Sequence, residues 1–175
     1  GLIGRATDTI IKECFTSGIV KAENYNGGSS DLRSYAGGLV GSCNSNMEIL
    51  NCYSTCEVIS KANLYAYSGG LIGKYVPYSV SSLKIDNSFA TGKIVSYSIS
   101  SCSDSRSYSG GLIGYVNTTT SGYGSTLNIA NCYATGDTYS SANQITISDQ
   151  FSATIANINY KKSNIYYLDS QKCYQ

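Results

Sequence analysis

The stretch Tyr67-Ser68-Gly69-Gly70-Leu71-Ile72-Gly73 decides the fold, because close copies of it recur along the chain. Its second half is a Gly-Leu-aliphatic-Gly phrase with four copies, at residues 1–4, 38–41, 70–73 and 111–114. A Tyr, a small residue and a Gly precede the last three copies. Self-similarity of this kind is the signature of stacked repeats, and it takes priority over any single-residue signal.

A second phrase alternates with the first and carries an aromatic residue after a Cys or a Ser. Its four copies are Glu13-Cys14-Phe15, Asn51-Cys52-Tyr53, Asn87-Ser88-Phe89 and Asn131-Cys132-Tyr133. The residue pattern of the two phrases stays nearly the same in every copy, while the segments between them vary in length. This is typical of repeat arrays whose loops absorb insertions. Large residues alternate with small or polar ones around the second phrase, which predicts short strands with one buried face.

These patterns predict an all-β fold, specifically a right-handed parallel β-solenoid (β-helix) with about one turn per 32–44-residue repeat. We expect a single domain over residues 1–175, with four repeats within 1–140 and a divergent C-terminal turn or cap at 141–175. The paired glycines are expected at one corner of each turn, and Gly18, Gly92 and Gly136 at a second corner. One turn per repeat would stack like on like and form two structural ladders: Leu2, Leu39, Leu71 and Leu112, and Phe15, Tyr53, Phe89 and Tyr133.

Composition excludes several classes of function. Charged residues make up only 13% of the chain and the net charge is +1, which argues against binding to nucleic acid. The chain has neither an apolar run long enough to predict a membrane span nor a signal peptide. It begins inside a repeat, so we expect a fragment or a processed product of a longer protein.

Seven cysteines are many for a chain of 175 residues, and disulfides are typical of secreted proteins. Cys14, Cys52 and Cys132 share one repeat position, which Ser88 takes in the third repeat, and they are predicted to be small buried residues. The odd total leaves at least one thiol unpaired within the chain, and a bridge between chains stays open. The better candidates for disulfides are Cys43, Cys56, Cys102 and Cys173.

The phrases closely resemble the GLUG repeat, which is named for its Gly-Leu-hydrophobic-Gly core. The resemblance is carried by Tyr-Ser-Gly-Gly-Leu-Ile-Gly-Tyr at 108–115 and Ile-Ala-Asn-Cys-Tyr-Ala-Thr-Gly-Asp at 129–137, and it extends four times over residues 1–140. Residues 141–175 depart from it, although 164–169 look like the strand that often follows the last repeat. GLUG repeats occur in bacterial surface proteins, adhesin-like proteins and non-catalytic parts of IgA-specific metalloendopeptidases. The resemblance implies an extracellular β-helical solenoid for display, spacing and adhesion, without catalytic residues.

The sequence offers few residues for catalysis or metal binding. The chain has no His, which excludes a His-based triad and a His–metal site. It has no Asp-rich loop for calcium either, so we expect no metal and no cofactor. The acidic residues are scattered, and only Asp86 and Asp137 are expected near one corner in successive turns. That pair keeps a carbohydrate-active enzyme as a minor alternative.

Tyrosine is the better functional signal, with 17 residues. Exposed Tyr among Ser, Thr and Gly makes an adaptable contact surface. The candidates for ligand binding, in or beside variable loops, are Tyr75, Tyr78, Tyr115 and Tyr123. The alternative is that these rings only cover Gly-rich strands. Asn117 begins the single N-glycosylation triplet and is a possible glycosylation site.

The leading hypothesis is therefore an extracellular, non-enzymatic repeat module that displays or spaces an adhesive surface. Its expected partner is a glycan or a host or cell-surface protein. The alternative is a subunit of an extracellular fibre that stacks head to tail on copies of itself, because the end turns of a solenoid are open edges.

Overall fold

The computed structural model describes residues 1–24, 32–100, 104–118, 124–142, 145–149 and 159–167. Within these residues all regular structure is β-strand, and every strand pair is parallel. The prediction of an all-β fold built from parallel strands is therefore confirmed. Cys102, Tyr123 and Cys173, together with most of the segment from 150 onward, lie outside the described residues.

Each repeat contributes strands in the same order along the chain. The first repeat forms β1 (Ile3–Ala6), β2 (Thr9–Lys12), β3 (Phe15–Thr16), β4 (Ile19–Asn24) and β5 (Arg33–Gly37). The second forms β6 (Val40–Cys43), β7 (Met47–Leu50), β8 (Tyr53–Ser54), β9 (Glu57–Ala62) and β10 (Tyr65–Gly69). The third forms β11 (Ile72–Tyr75), β12 (Ser82–Asp86), β13 (Phe89–Ala90), β14 (Ile94–Ser98) and β15 (Arg106–Gly110). The remainder forms β16 (Ile113–Val116), β17 (Thr126–Ala134), β18 (Thr138–Ser141), β19 (Ile145–Asp149) and β20 (Asn159–Tyr167).

These strands form four separate sheets, and neighbouring strands in a sheet come from successive repeats. Sheet A is β1-β6-β11-β16, sheet C is β4-β9-β14-β18 and sheet D is β5-β10-β15-β19. In sheet B, β2, β7 and β12 pair in that order and β12 pairs with the first part of β17. Likewise β3, β8 and β13 pair in order and β13 pairs with the second part of β17, whose other edge pairs with β20. Equivalent positions face each other, as Tyr67 does with Tyr35 and Tyr108. The repeats are therefore in register wherever they pair.

Backbone corners within sheet B fall on the first residue of the second phrase. Glu13, Asn51, Asn87 and Asn131 all have φ between 48° and 54°. Asn reaches this left-handed region more readily than most residues, which explains its recurrence at this position. Gly18, Gly92 and Gly136, which are predicted at a second corner, lie between sheets B and C, and of the three only Gly18 has a positive φ.

The paired glycines allow repeats to approach closely at the bend between sheets D and A. A Cβ on Gly70 would lie 2.0 Å from the carbonyl oxygen of Gly111 and 2.4 Å from Cβ of Ala90. Any side chain at this position would therefore push the third and fourth repeats apart.

The apolar core lies between sheets A and B. Leu39, Leu71 and Leu112 are fully buried, whereas Leu2, in the first repeat, is 50% exposed. The carbonyl of each of these buried leucines accepts the N–H groups of two residues in the preceding repeat; that of Leu39, for instance, binds Leu2 N and Ile3 N, both at 2.9 Å. Apolar burial and backbone hydrogen bonding thus coincide at this column.

Buried serines lie between sheets C and D, beside a small apolar cluster of Ala36, Cys56, Val58 and Ile94. The repeat pattern did not predict these buried hydroxyl groups. Ser60, Ser96, Ser107 and Ser109 are all fully buried. The hydroxyl of Ser96 lies 2.7 Å from that of Ser107 and 2.8 Å from that of Ser109. The hydroxyl groups of Ser34 in β5 and Ser60 in β9 form a second buried pair, which joins the first repeat to the second. Small hydroxyl side chains let the two sheets approach while satisfying each other's hydrogen bonds.

Candidate ligand-binding groove

One row of outward-facing side chains crosses sheet A. Strand pairing aligns Arg5, Ser42, Lys74 and Tyr115, one from each repeat. Neighbouring parallel strands lie about 4.8 Å apart. Ser42 is the shortest side chain of the four, so a gap opens between its two cationic neighbours.

A second row on sheet D consists of stacked tyrosines. The ring of Tyr67 stacks on that of Tyr35, with centroids 5.4 Å apart, and on that of Tyr108, at 5.3 Å. Tyr115 packs against Tyr67 and Tyr108 in a tilted geometry at 5.1 and 5.0 Å. Burial raises the pKa of both Tyr67 and Tyr108, so these hydroxyls stay protonated at neutral pH. Lys74 places its amine 4.8 Å from the Tyr35 centroid, a cation–π contact.

A groove of about 350 Å³ lies where the two rows meet, and its lining comes from the first three repeats. Its described lining includes Arg5, Arg33, Tyr35, Ser42 and Lys74, together with Tyr78. Three side chains of this lining are cationic and none is acidic. The geometry therefore combines positive charge, aromatic surface and short polar groups, a set that suits a polar ligand with negative charge.

Hydrogen bonds of the backbone hold Tyr78 at the groove. The N–H groups of Val76 and Tyr78 donate to the carbonyls of Cys43 and Asn44, at 3.0 and 3.3 Å. The side chain of Tyr78 is 55% exposed. Its ring is thus available to a ligand on a fixed backbone.

A third row beside the groove continues the positive charge along sheet D. The guanidinium groups of Arg33 and Arg106 lie 5.4 and 5.7 Å from the ring centroid of Tyr65. Arg106 also forms an ion pair with Asp104 at 2.7 Å. A hydrogen bond from the Tyr65 hydroxyl raises the pKa of Tyr65 and lowers that of Asp104. Asp104 therefore balances the positive charge of Arg106 in the third repeat, away from the groove.

Of the predicted ligand-binding tyrosines that the structure describes, only Tyr78 lines the groove. Tyr75 is fully buried, which corrects its prediction as a contact residue. The cause is strand parity, since Lys74 points outward on β11 and the next side chain must point into the core, opposite Cys43 and Val116. Tyr115 is half-buried in the tyrosine cluster, where it packs as described above. The prediction for Tyr123 falls outside the described residues.

The predicted aromatic ladder lies on the outer surface of sheet B. Ring centroids along Phe15, Tyr53, Phe89 and Tyr133 are 5.2, 4.9 and 4.7 Å apart, with nearly parallel planes. Phe15 is 63% exposed and Tyr133 is 36% exposed. The rings stack on each other rather than filling the core, because alternation turns the residues on either side of each ring inward.

The cysteines that occupy the repeat position form a hydrogen-bonded column. Cys14 N–H donates to Cys52 Sγ at 3.4 Å, and Cys52 N–H donates to Ser88 Oγ at 3.1 Å. The side chains of Cys52, Ser88 and Cys132 each donate to the carbonyl two residues earlier. Thiol and hydroxyl are interchangeable here because both accept from one repeat and donate within their own.

The disulfide predictions are corrected for two cysteines. Cys43 and Cys56 are both buried free thiols. Cys43 Sγ instead donates to the carbonyl of Ser45 at 3.4 Å, and burial raises the pKa of its thiol. Cys102 and Cys173 are outside the described residues.

The remaining predicted site residues do not join the groove. Asn117 donates from its amide nitrogen to the Tyr115 hydroxyl at 2.9 Å, so the glycosylation candidate is engaged within the protein. Asp86 accepts a hydrogen bond from Asn131 at 3.0 Å, and Asp137 is exposed on another part of the surface. Neither carboxylate lines the described groove.

Most residues of the groove are not among the binding residues that the sequence patterns predict. Arg5, Arg33, Tyr35 and Lys74 lie within or beside the repeated phrases, where they read as ordinary strand residues. The signal that could have found these four residues is the alternation of outward and inward side chains along a strand. Each of the four is at an outward position and has a small or aliphatic inward neighbour. What brings them together is the meeting of two sheets.

The described residues hold no cluster of three or more His, Cys, Asp or Glu side chains that could bind a metal ion. Over the same part of the chain, no helix is long and apolar enough to cross a membrane. No protein-family model matches the sequence, and no curated protein or solved structure is significantly similar to it.

Proposed function

We propose that this protein is an extracellular, non-enzymatic repeat module that displays an adhesive surface for a glycan or a cell-surface protein. In this proposal the repeats form a right-handed parallel β-solenoid with one turn per repeat, as in the GLUG repeats that the sequence resembles. The observation that carries the proposal is the groove between sheets A and D, in which Arg5, Lys74, Tyr35 and Tyr78 surround the gap at Ser42. Aromatic surface beside convergent polar groups is typical of binding sites.

The register of the sheets supports this architecture. Each of sheets A, C and D takes one strand from each repeat, and the parallel pairs align equivalent residues. A rigid stack of this kind fixes side chains from different repeats at constant spacing. Such a scaffold suits display of a surface, because its outer rows keep their geometry without a ligand.

A glycan array, combined with a panel of cell-surface and matrix proteins, tests the proposal. We expect a defined ligand whose binding is weakened at least about tenfold by Tyr78→Ala. Tyr139→Ala is the matched control, because Tyr139 is 50% exposed on sheet C, outside the groove. Absence of any ligand, or equal losses in the two variants, would contradict an adhesive role for the groove.

A second candidate function is favoured by the exposed ends of the side-chain columns. Leu2 is 50% exposed and Phe15 is 63% exposed, whereas the next members of their columns are less exposed: Leu39 is buried and Tyr53 is half-buried. Strand β1, which begins directly after Leu2, and β3, which contains Phe15, are edges of their sheets and offer unpaired backbone groups. Head-to-tail stacking of copies would cover both columns, as expected for a fibre subunit.

Sedimentation velocity over a range of concentrations, with electron microscopy, decides this alternative. Fibre formation predicts association that Phe15→Lys blocks. Val80→Lys should leave association unchanged, because Val80 is 67% exposed between β11 and β12, in the third repeat and away from the edge strands. A single monomeric species at every concentration would contradict a fibre.

A further inference from the structure

We infer that the groove between sheets A and D binds an acidic polysaccharide, one that carries carboxylate or sulfate groups on its sugar rings. This inference rests on the proposed adhesive function and names the chemical class of its ligand. The residues that carry it are Arg5, Arg33 and Lys74, with the rings of Tyr35 and Tyr78.

Positive charge is concentrated in the groove. The whole chain has a net charge of only +1, yet three cationic side chains line this one groove, without an acidic residue among its described lining. Arg5 and Lys74 are two strands apart in one row, with Ser42 between them. A ligand in the gap at Ser42 would meet positive charge on both sides. Carboxylate and sulfate groups match the planar donor geometry of arginine.

The rest of the lining favours a sugar over an acidic peptide. Pyranose rings have an apolar face of C–H groups that packs on aromatic rings, and hydroxyl groups at their edge. Tyr35 and Tyr78 offer ring surface, and Ser42 and Asn44 offer short hydrogen-bonding groups. Val76 is the one aliphatic side chain of the described lining, so the groove has little to accommodate the apolar side chains of a peptide.

Regular strand spacing favours a polymer over a single sugar. The groove runs across the strands of sheet A, and equivalent positions repeat at about 4.8 Å. Successive sugar units along a chain could therefore meet side chains on successive strands. Toward the fourth repeat, Tyr115 fills the position of Ser42 and packs on the tyrosine column, which closes the groove at that end.

Isothermal titration calorimetry with four short ligands tests the inference. The probes are an oligogalacturonate, a chondroitin sulfate oligosaccharide, a neutral malto-oligosaccharide of equal length and an oligoglutamate peptide. We expect binding of the carboxylated or the sulfated sugar, or both, and these two arms identify which anionic group is recognised. Affinity should fall as sodium chloride is raised, because exposed ion pairs are screened.

Two variants and a matched control locate the site. Arg5→Gln with Arg33→Gln should weaken binding of the acidic sugar by at least about tenfold. Lys12→Gln with Lys84→Gln removes the same charge from exposed positions on sheet B and should change affinity less than about twofold. Ser42→Tyr keeps every cation but fills the gap, as Tyr115 does in the fourth repeat, and should abolish binding.

Several outcomes would overturn the inference. Equal affinity for the neutral sugar would remove the role of charge while leaving the adhesive function standing. Tighter binding of oligoglutamate would indicate an acidic protein as the partner. Unchanged affinity in the groove variants would place the site elsewhere. Failure of all four probes would also reject the inference, and only an empty glycan and protein screen would reject the adhesive function with it.

Discussion

The hydroxyl group of Ser96 lies 2.7 Å from that of Ser107 inside the protein and joins sheet C to sheet D. Both side chains are fully buried, and Ser96 also contacts the Ser109 hydroxyl at 2.8 Å. The Ser109 hydroxyl in turn lies 2.6 Å from the carbonyl oxygen of Tyr139, to which it donates. These buried hydroxyl groups thus form a connected hydrogen-bond network between the two sheets.

Replacing Ser96 with Ala tests this network. The variant removes the hydroxyl that Ser107 contacts, while Ser109 keeps its bond to the carbonyl of Tyr139. We therefore expect a loss of about 1–3 kcal/mol in the free energy of unfolding. Ser17→Ala, at an exposed position, is the control and should change stability by less than about 0.5 kcal/mol. Chemical denaturation measures both. A neutral Ser96→Ala would show that water or rearrangement replaces the lost hydroxyl.

Replacing Glu13 with Asn should stabilise the protein. Glu13 adopts φ of 53°, and the other three repeats place Asn at the same corner. Asn tolerates this region better than Glu, so we expect a gain on the order of 0.5 kcal/mol. Glu23→Asn makes the same charge change on β4, where φ is not positive, and should bring no gain. Equal shifts in melting temperature would attribute the effect to charge instead.

Leu71→Ala should destabilise the protein far more than Leu2→Ala. Leu71 is fully buried in the middle of its column, and its loss should cost about 2–5 kcal/mol. Leu2 is 50% exposed, so the same change should cost less than about 1 kcal/mol. Thermal unfolding of the two variants makes the comparison. Equal losses would indicate that Leu2 is covered in solution, as in a fibre.

Tyr75→Phe should leave the protein as stable or more stable. The Tyr75 hydroxyl is buried and, within the described part of the chain, has no hydrogen-bond partner. Removing an unsatisfied buried group should gain about 1 kcal/mol. Tyr115→Phe is the comparison, because its hydroxyl accepts a hydrogen bond from Asn117 and its loss should be slightly destabilising. A clear loss for Tyr75→Phe would reveal a bound water on the hydroxyl.

Cys132 should resist alkylation near neutral pH. Burial raises the pKa of its thiol to about 11. Because the thiolate is the reactive form, its reaction with iodoacetamide at pH 8 should be about 100-fold slower than in the urea-unfolded chain. Peptide mapping by mass spectrometry measures the site separately from the other cysteines. Reaction at the unfolded rate would contradict a buried thiol.

The same thiol makes stability depend on pH in the alkaline range. The pKa of the Cys132 thiol is higher in the folded than in the unfolded chain. The contribution of this thiol to the free energy of unfolding is therefore fully present below the pKa of the unfolded chain. It is lost as pH rises through about 11, since the unfolded chain then gains by releasing the proton.

Strand parity separates what could be predicted at the candidate site from what could not. The position of Tyr75 beside a Gly-rich phrase predicted exposure, but its neighbour Lys74 takes the outward position on β11. The exposure of Tyr78 could be predicted, because Tyr78 follows Pro77 beyond the end of the strand. The left-handed Asn corners were also readable in principle, since Asn precedes the Cys or Ser in three of the four copies.

The sequence by itself determined that the chain is all-β and that its strands pair in parallel, since repeated phrases align best on their own copies. It also determined which residues share a column, such as Leu39 with Leu71, because equal positions in successive repeats must meet. Tertiary structure alone decided that Arg5 and Lys74 share a groove with Arg33 and Tyr35. Periodicity describes contacts between repeats, whereas the groove depends on the angle at which two sheets meet within a repeat. That angle is set by packing of the whole interior.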